Sequence, residues 1–270
     1  MFKSNFFLRL LPQYRNISVD KEAGKRRKRH ALRYKSLLFN NSADRIEYPY
    51  AVSYHPDCVD IRDCERFNII RSNFLSFIAG NEINNSGDIH RFYSLIFNIE
   101  QLKKYNIQGD FAELGIYKGN TSAVLAYYAN DLRRRHFLLD TFEGFHTDDI
   151  KQQKHKGFFS DTNIIDVKKL VGYDKVCTYI QGRFPDSITE DLASRRFCFV
   201  SIDCDLYNPT KAGLEFFFPR MEKGGYLFIH DYNSPYWQEE CTKAVNEFCA
   251  KEEKNLVLLP DKSGTAVLIK

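Results

Sequence analysis

From Gly109 onward the chain alternates short apolar runs with segments whose apolar residues recur at helical spacing, the pattern of an open parallel sheet with crossover helices. Strands are expected at 110–114, 136–140, 176–180, 197–203 and 226–231. Helices are expected to start near Asn120, near Thr162 and at Asn208, where an Asn cap followed by Pro209 at the first helical position is a strong start signal. A further helix carries Cys241, Ala244, Val245 and Phe248. The chain ends NLVLLP, DKSG, TAVLIK, which reads as two strands joined by a four-residue turn; such strands must pair antiparallel.

Ahead of the sheet the period is helical. Phe67, Ile70, Phe74, Phe77 and Ile78 form one apolar stripe, ended by Gly80, and Asp88 is a cap for a second helix carrying Phe92, Leu95, Ile96, Ile99 and Leu102. Phe2, Phe6 and Leu10 make a short amphipathic face before Pro12. Arg9 interrupts that face and no small-residue cleavage site follows, so a secretory signal is not expected.

Composition narrows the class. The chain has 270 residues, 43% hydrophobic and 27% charged, enough apolar material for one sizeable core. Its longest apolar runs, 197–200 and 226–229, fall far short of the roughly 20 residues of a membrane-spanning helix. Seven cysteines are scattered without a CxxC pair, which excludes a zinc ribbon or thioredoxin-type dithiol and suits a reducing cytoplasm. Cys177, Cys198 and Cys204 lie in or beside strands and read as small buried hydrophobes.

The net charge of +4 is unevenly placed: residues 1–35 hold 11 Lys and Arg against 2 Asp and Glu, whereas the remainder holds 28 against 33. The basic run GKRRKRH at 24–30 reads as a solvated arm, with peripheral contact to an anionic membrane as the alternative and nucleic acid less suited. The expected organisation is a basic arm at 1–35, a helical cap and substrate segment at 36–105, and an α/β domain at 106–270. A homo-oligomer in the cytoplasm, possible membrane contact through the arm included, is the expected setting.

Ligands of an open α/β sheet bind beyond the carboxyl ends of its strands. The first strand ends ELGIYKGNTS, an ExGxxxG turn with neither the GxGxxG spacing of a dinucleotide site nor the Lys-Ser/Thr ending of a P-loop. The second ends at Asp140, a carboxylate able to accept hydrogen bonds from both hydroxyls of a ribose, or else to serve as an ordinary turn residue. The fourth and fifth end DCDLYNPT and HDYN, bringing Asp203, Asp205, His230 and Asp231 to neighbouring strand tips. Such oxygen-rich donors suit Mg²⁺, and the histidine also tolerates Mn²⁺ or Fe²⁺; the alternative is that the acids cap helices, Asp205 that of the Asn208 helix.

These segments, GDFAELGIYKGNTSA, LLDTFEGF, GRFPDSI, IDCDLYNPTKAGLEFFFPRMEKGGYLFIHDYN and PDKSGTAVLIK, resemble the macrocin O-methyltransferase (TylF-like) family of S-adenosylmethionine- and metal-dependent sugar O-methyltransferases over residues 88–270. The resemblance implies a Rossmann-like class I methyltransferase fold, α/β, with a seven-stranded mostly parallel sheet, a C-terminal antiparallel hairpin and an N-terminal helical segment. It places Glu113, Gly115, Gly119, Thr121 and Ser122 at the methionine end of the cofactor, Asp140 at its ribose, and Gly182 and Arg183 at its adenine. It assigns Asp203, His230 and Asp231 to a divalent metal, Mg²⁺ first.

Two departures stand out: His230 replaces the first acid of the family's DDY, and TFEGFHTDD lacks the usual proline, with His146 in its neighbourhood. The implied reaction is attack of a sugar hydroxyl on the sulfonium methyl, the acceptor being a small molecule or glycan and the base Asp203 or His146. Rival readings are a methyltransferase acting on a catechol or phenol, a nicotinamide-dependent oxidoreductase, and a non-enzymatic surface adaptor led by the arm.

Overall fold

The computed structural model describes residues 89–270. The expected helices at Phe2–Leu10 and around Phe67–Ile78, the basic run and the Asp88 cap lie outside the described residues. Among those described, no helix is long and apolar enough to cross a membrane.

Strands β1 (Asp110–Leu114), β2 (His136–Asp140), β3 (Cys177–Gln181), β4 (Phe197–Ile202), β5 (Met221–Ile229), β6 (Val257–Leu258) and β7 (Ala266–Ile269) form one sheet in the order β3-β2-β1-β4-β5-β7-β6. The first five run parallel; β7 pairs antiparallel with both β5 and β6. Parallel strands need covered faces, and helices supply both layers. Helix α1 (Ile89–Lys104) lays Phe92, Leu95, Ile96, Ile99 and Leu102 on one face, joined by Val124, Leu125 and Tyr128 of α2 (Asn120–Asp131). The helix α3 (Ile164–Val171) extends that layer over Leu138. Opposite it, α5 (Tyr207–Phe217) and α6 (Lys243–Glu252) pack Leu214, Phe217, Val245 and Phe248 on Ala112, Leu114, Phe137 and Leu139; the short α4 (Glu190–Ala193) adds Leu192. Alternation along β1 and β2 therefore puts Glu113, His136 and Leu138 on the α1–α2 side.

Three local expectations are corrected. The helix after DCDL begins at Tyr207, not at Pro209, because the first free N–H belongs to Tyr207 and is met by the buried Glu240 carboxylate at 2.9 Å, across 33 residues of sequence. Pro209, still in the first turn, lacks only an N–H that has no intrahelical partner there. Asp205 does not cap that helix. The hairpin turn is longer than DKSG: the buried Asp261 carboxylate accepts from the amide (2.6 Å) and hydroxyl of Thr265, and this closes a wider loop between β6 and β7. Helix α2 starts at Asn120 as expected, with Gly119 at its cap position at φ +82°.

Candidate active site

Beyond the carboxyl ends of β1 to β5 lies one cleft of about 280 Å³, lined among others by Glu113, Gly115, Thr121, Asp140, His146, Gly182, Arg183, Asp203, His230 and Asp231. Most residues singled out from sequence thus meet in a single site. Gly119 and Ser122 stand behind its wall. A Cβ on Gly119 would come within 3.0 Å of Val171 and 3.1 Å of Val167, so this glycine lets α2 approach α3. Gly115, at φ +86°, has a sharper constraint: a Cβ would fall 2.0 Å from the Asp203 carbonyl oxygen, where the tips of β1 and β4 cross.

Asp140 anchors the glycine turn. Its Oδ2 accepts from the amides of Ile116 (2.6 Å) and Tyr117 (3.0 Å), and its Oδ1 from the amide of Phe142 (2.7 Å). A carboxylate has about four acceptor sites, so little capacity is left for a diol. Asp140 lines the cleft, but its first task here is to shape the turn on which a ligand would rest. Arg183 is likewise engaged, forming a fork to Asp149 (Nε–Oδ2 3.0 Å, Nη2–Oδ1 2.8 Å) and a further bond to Asp186. That fork ties the segment between β2 and α3, residues 141–163, to the end of β3. His146 sits on the same segment, half exposed, with Nδ1 accepting from the Asp148 amide at 3.3 Å as the cap of a 3₁₀ turn.

The tips of β4 and β5 carry the densest charge. His230 Nδ1 lies 3.1 Å from Asp203 Oδ1 and 2.7 Å from Asp231 Oδ2, and donor atoms of the three residues all fall within 4.8 Å of one another. Adjacent ligands of an octahedral ion at about 2.1 Å stand about 3 Å apart, so this donor set fits a divalent cation. Arg91, reaching in from the first turn of α1, bonds Asp203 Oδ2 at 2.6 Å. Burial alone would push Asp203 up, but His230 and Arg91 hold it well below the usual carboxylate range. Burial and Arg91 draw His230 down, yet Asp203 and Asp231 leave it raised. Burial, then the nearby Asp231 and Asp203, push Asp205 well above an ordinary carboxylate. Asp205 and Asp231 both adopt left-handed backbone, at φ +58° and +60°, a sparsely populated conformation that recurs at functional sites.

Sequence reasoning missed Arg91, Asp149 and an aromatic wall. Phe145 packs edge-on against Trp237 (6.0 Å between ring centroids) and Phe159 (5.1 Å), and Phe159 meets Tyr117 (5.1 Å). Of these, Arg91 left a readable signal: with Leu95 and Ile99 it falls at i, i+4, i+8, a charge inside the apolar stripe of its own helix. Of the three thiols expected to be buried, Cys198 is, whereas Cys177 and Cys204 are only partly so. Burial raises Cys198 and Cys177 to about 12.

Solved structures share this fold. The O-methyltransferase NovP superposes with a TM-score of 0.63 at 18% identity, over 76% of this chain and 98% of that one. CalS11, a calicheamicin methyltransferase, does so with a TM-score of 0.55 at 19% identity, over 77% of this chain and 93% of its own. The family model for macrocin O-methyltransferase (TylF) matches residues 88–258, and the chain belongs to that family. One curated relative, the 8-demethyl-8-(2,3-dimethoxy-alpha-L-rhamnosyl)-tetracenomycin-C 4'-O-methyltransferase of Streptomyces olivaceus, is 26% identical over 176 residues. The match takes in 59% of this chain and 65% of that protein, just under two thirds of the relative's length. A methyltransferase family model over this length speaks against the oxidoreductase reading; the adaptor reading rests on the arm, outside the described residues.

Proposed function

We propose that this protein transfers the methyl group of S-adenosylmethionine to a hydroxyl of a sugar on a glycosylated natural product or glycan, with a divalent cation at the acceptor end of the cleft. The observation that carries this reading is the placing of Asp203, His230 and Asp231 in the same cleft as the glycine turn and Glu113. The family membership supports methyl transfer, and the relative named for a rhamnosyl acceptor supports a sugar hydroxyl.

Bound Mg²⁺ would act as a Lewis acid, lowering the pKa of a sugar hydroxyl that is otherwise a poor nucleophile near neutral pH. S-adenosylmethionine supplies the electrophilic methyl. The chain's own residues hold and orient. Arg91 keeps Asp203 ionised and fixes one of its oxygens, leaving the other towards His230. An acid held so far down is a weak proton acceptor near neutral pH, so Asp203 suits cation binding better than general-base work. The Phe145, Phe159 and Trp237 wall offers an apolar surface to the acceptor.

The test uses the full chain, S-adenosylmethionine and a rhamnosylated acceptor. Excess chelator should abolish methyl transfer and Mg²⁺ should restore it. Calorimetric titration with Mn²⁺ should show one site, weakened more than about tenfold in Asp231→Ala. Full turnover in chelator would remove the metal from the reading, and failure to bind S-adenosylhomocysteine would remove the cofactor.

A further inference from the structure

Among the described residues, Glu113 is a buried acid with no cation bonded to it. It is 1% exposed at the end of β1, lines the cleft, and its Oε2 has no hydrogen-bond partner among the described residues. Behind it, His136 is fully buried with both ring nitrogens unpartnered, and its Nε2 stops 3.9 Å from Glu113 Oε2, beyond hydrogen-bonding reach. Burial drives His136 down to about 3, so the imidazole is neutral and offers no compensating charge.

The surrounding elements add none within bonding reach. Ser122 of α2 faces Glu113 with a neutral hydroxyl that favours its ionisation but brings no charge, and Cys177 and Tyr179 of β3, both raised by burial, are neutral as well. Asp140 and Asp203, at the ends of β2 and β4, oppose ionisation; Arg91 of α1 favours it from a distance while its guanidinium is bonded to Asp203. The balance, burial first, raises Glu113 to about 8. Among the described residues nothing bonds Oε2, and the carboxyl lines the cleft, from which a cationic hydrogen-bond donor would satisfy it.

We infer that Glu113 is a proton-exchanging anchor, an uncharged carboxylic acid in the ligand-free cleft and a carboxylate once the ammonium group of the cofactor's amino-acid end is seated against it. The O–H bond of Glu113 breaks, its electron pair stays on the carboxylate, the proton leaves to solvent, and an N⁺–H···O⁻ contact replaces it. Cofactor binding therefore expels a proton. The inference rests on the cleft being the S-adenosylmethionine site, and the test separates the two.

S-adenosylhomocysteine is titrated calorimetrically into the full chain at fixed Mg²⁺ and pH 6–7, where the ligand's own amino group, with an ordinary value of about 8, remains a cation. Repeating the titration in buffers of different ionisation enthalpy counts protons. About one proton should be released per ligand, with Kd falling about tenfold from pH 6 to 7 and levelling near pH 8. Glu113→Gln should bind with no release. In the unsubstituted protein, the infrared carbonyl stretch of a protonated carboxylic acid should vanish on ligand addition, a readout that needs no variant to fold. Binding without proton release, equal release by Glu113→Gln, or persistence of that stretch overturns the inference while leaving the cofactor site standing. No binding at all overturns the site and the inference with it.

Discussion

Replacing Arg91 with alanine isolates a contact that crosses from α1 to the tip of β4. The guanidinium donates to Asp203 Oδ2 at 2.6 Å, with side-chain exposures of 6% for Arg91 and 22% for Asp203. Removing one member of a fully buried pair costs about 3–5 kcal/mol, because the survivor is left charged and poorly solvated. Here Asp203 keeps His230 as a partner and some access to water. The expected loss is therefore smaller, about 2–3 kcal/mol. For a domain of this size that lowers the melting temperature by roughly 5–10 °C. Urea unfolding of Arg91→Ala, Arg91→Lys and the unsubstituted chain should show the alanine variant at an earlier midpoint with unchanged m-value, and the lysine variant between them, since an ammonium restores charge without the planar fork. If Arg91→Ala unfolds within about 0.5 kcal/mol of the parent, a shift usual for surface substitutions, the guanidinium does not neutralise Asp203 and the view of α1 as part of the active site fails.

Two further outcomes follow from the acids at β1 and β2. Asp140→Asn keeps the shape but turns part of the acceptor into a donor facing the amides of Ile116, Tyr117 and Phe142; it should cost about 2–4 kcal/mol in urea unfolding and weaken S-adenosylhomocysteine in calorimetry. Unchanged values in both assays would return Asp140 to the role of an ordinary turn residue. Glu113 rises from 4.5 to about 8 on folding, so the folded chain binds more protons than the unfolded one between those values and its stability falls as pH rises through that window. Glu113→Gln should match the parent near pH 4 and exceed it by on the order of 4 kcal/mol at pH 8 without ligand; parallel stability curves for the two proteins would refute the buried-acid argument.

Strand tips were the readable part of this site. A buried strand is a short apolar run, and the first polar residue after it must lie at the sheet's end, so Asp140, Asp203, His230 and Asp231 could be placed before any coordinates. Strand β5 shows the limit: it starts at Met221, five residues before the expected 226, because Gly224 and Gly225 break the apolar pattern while the chain still pairs with β4 through a register shift. What these side chains bond to was not readable. Asp140 looks the same in sequence whether it faces a diol or three amides, and Arg183 carries no mark of Asp149, 34 residues earlier. The start of α5 was misplaced for the same reason, since its acceptor comes from Glu240.

The two ends of the cleft handle buried negative charge in different ways, and the difference bears on what each end receives. Asp203 and Asp231 share one region with Arg91 and His230, so their charge is compensated inside the protein by neighbouring cationic groups, and on the proposed reading these carboxylates and His230 would hold the divalent cation. Among the described residues Glu113 has no such partner, and burial favours its protonated form instead. Asp203 is among the groups that oppose ionisation of Glu113, so a divalent cation held beside Asp203 weakens that opposition and favours the carboxylate. By linkage, a ligand whose ammonium needs that carboxylate strengthens cation binding to the same degree. If the proposed cation and the ammonium of the cofactor both bind, each should therefore tighten the other, and calorimetric titration of S-adenosylhomocysteine with and without Mg²⁺ should show a lower Kd in its presence; equal affinities would refute the coupling.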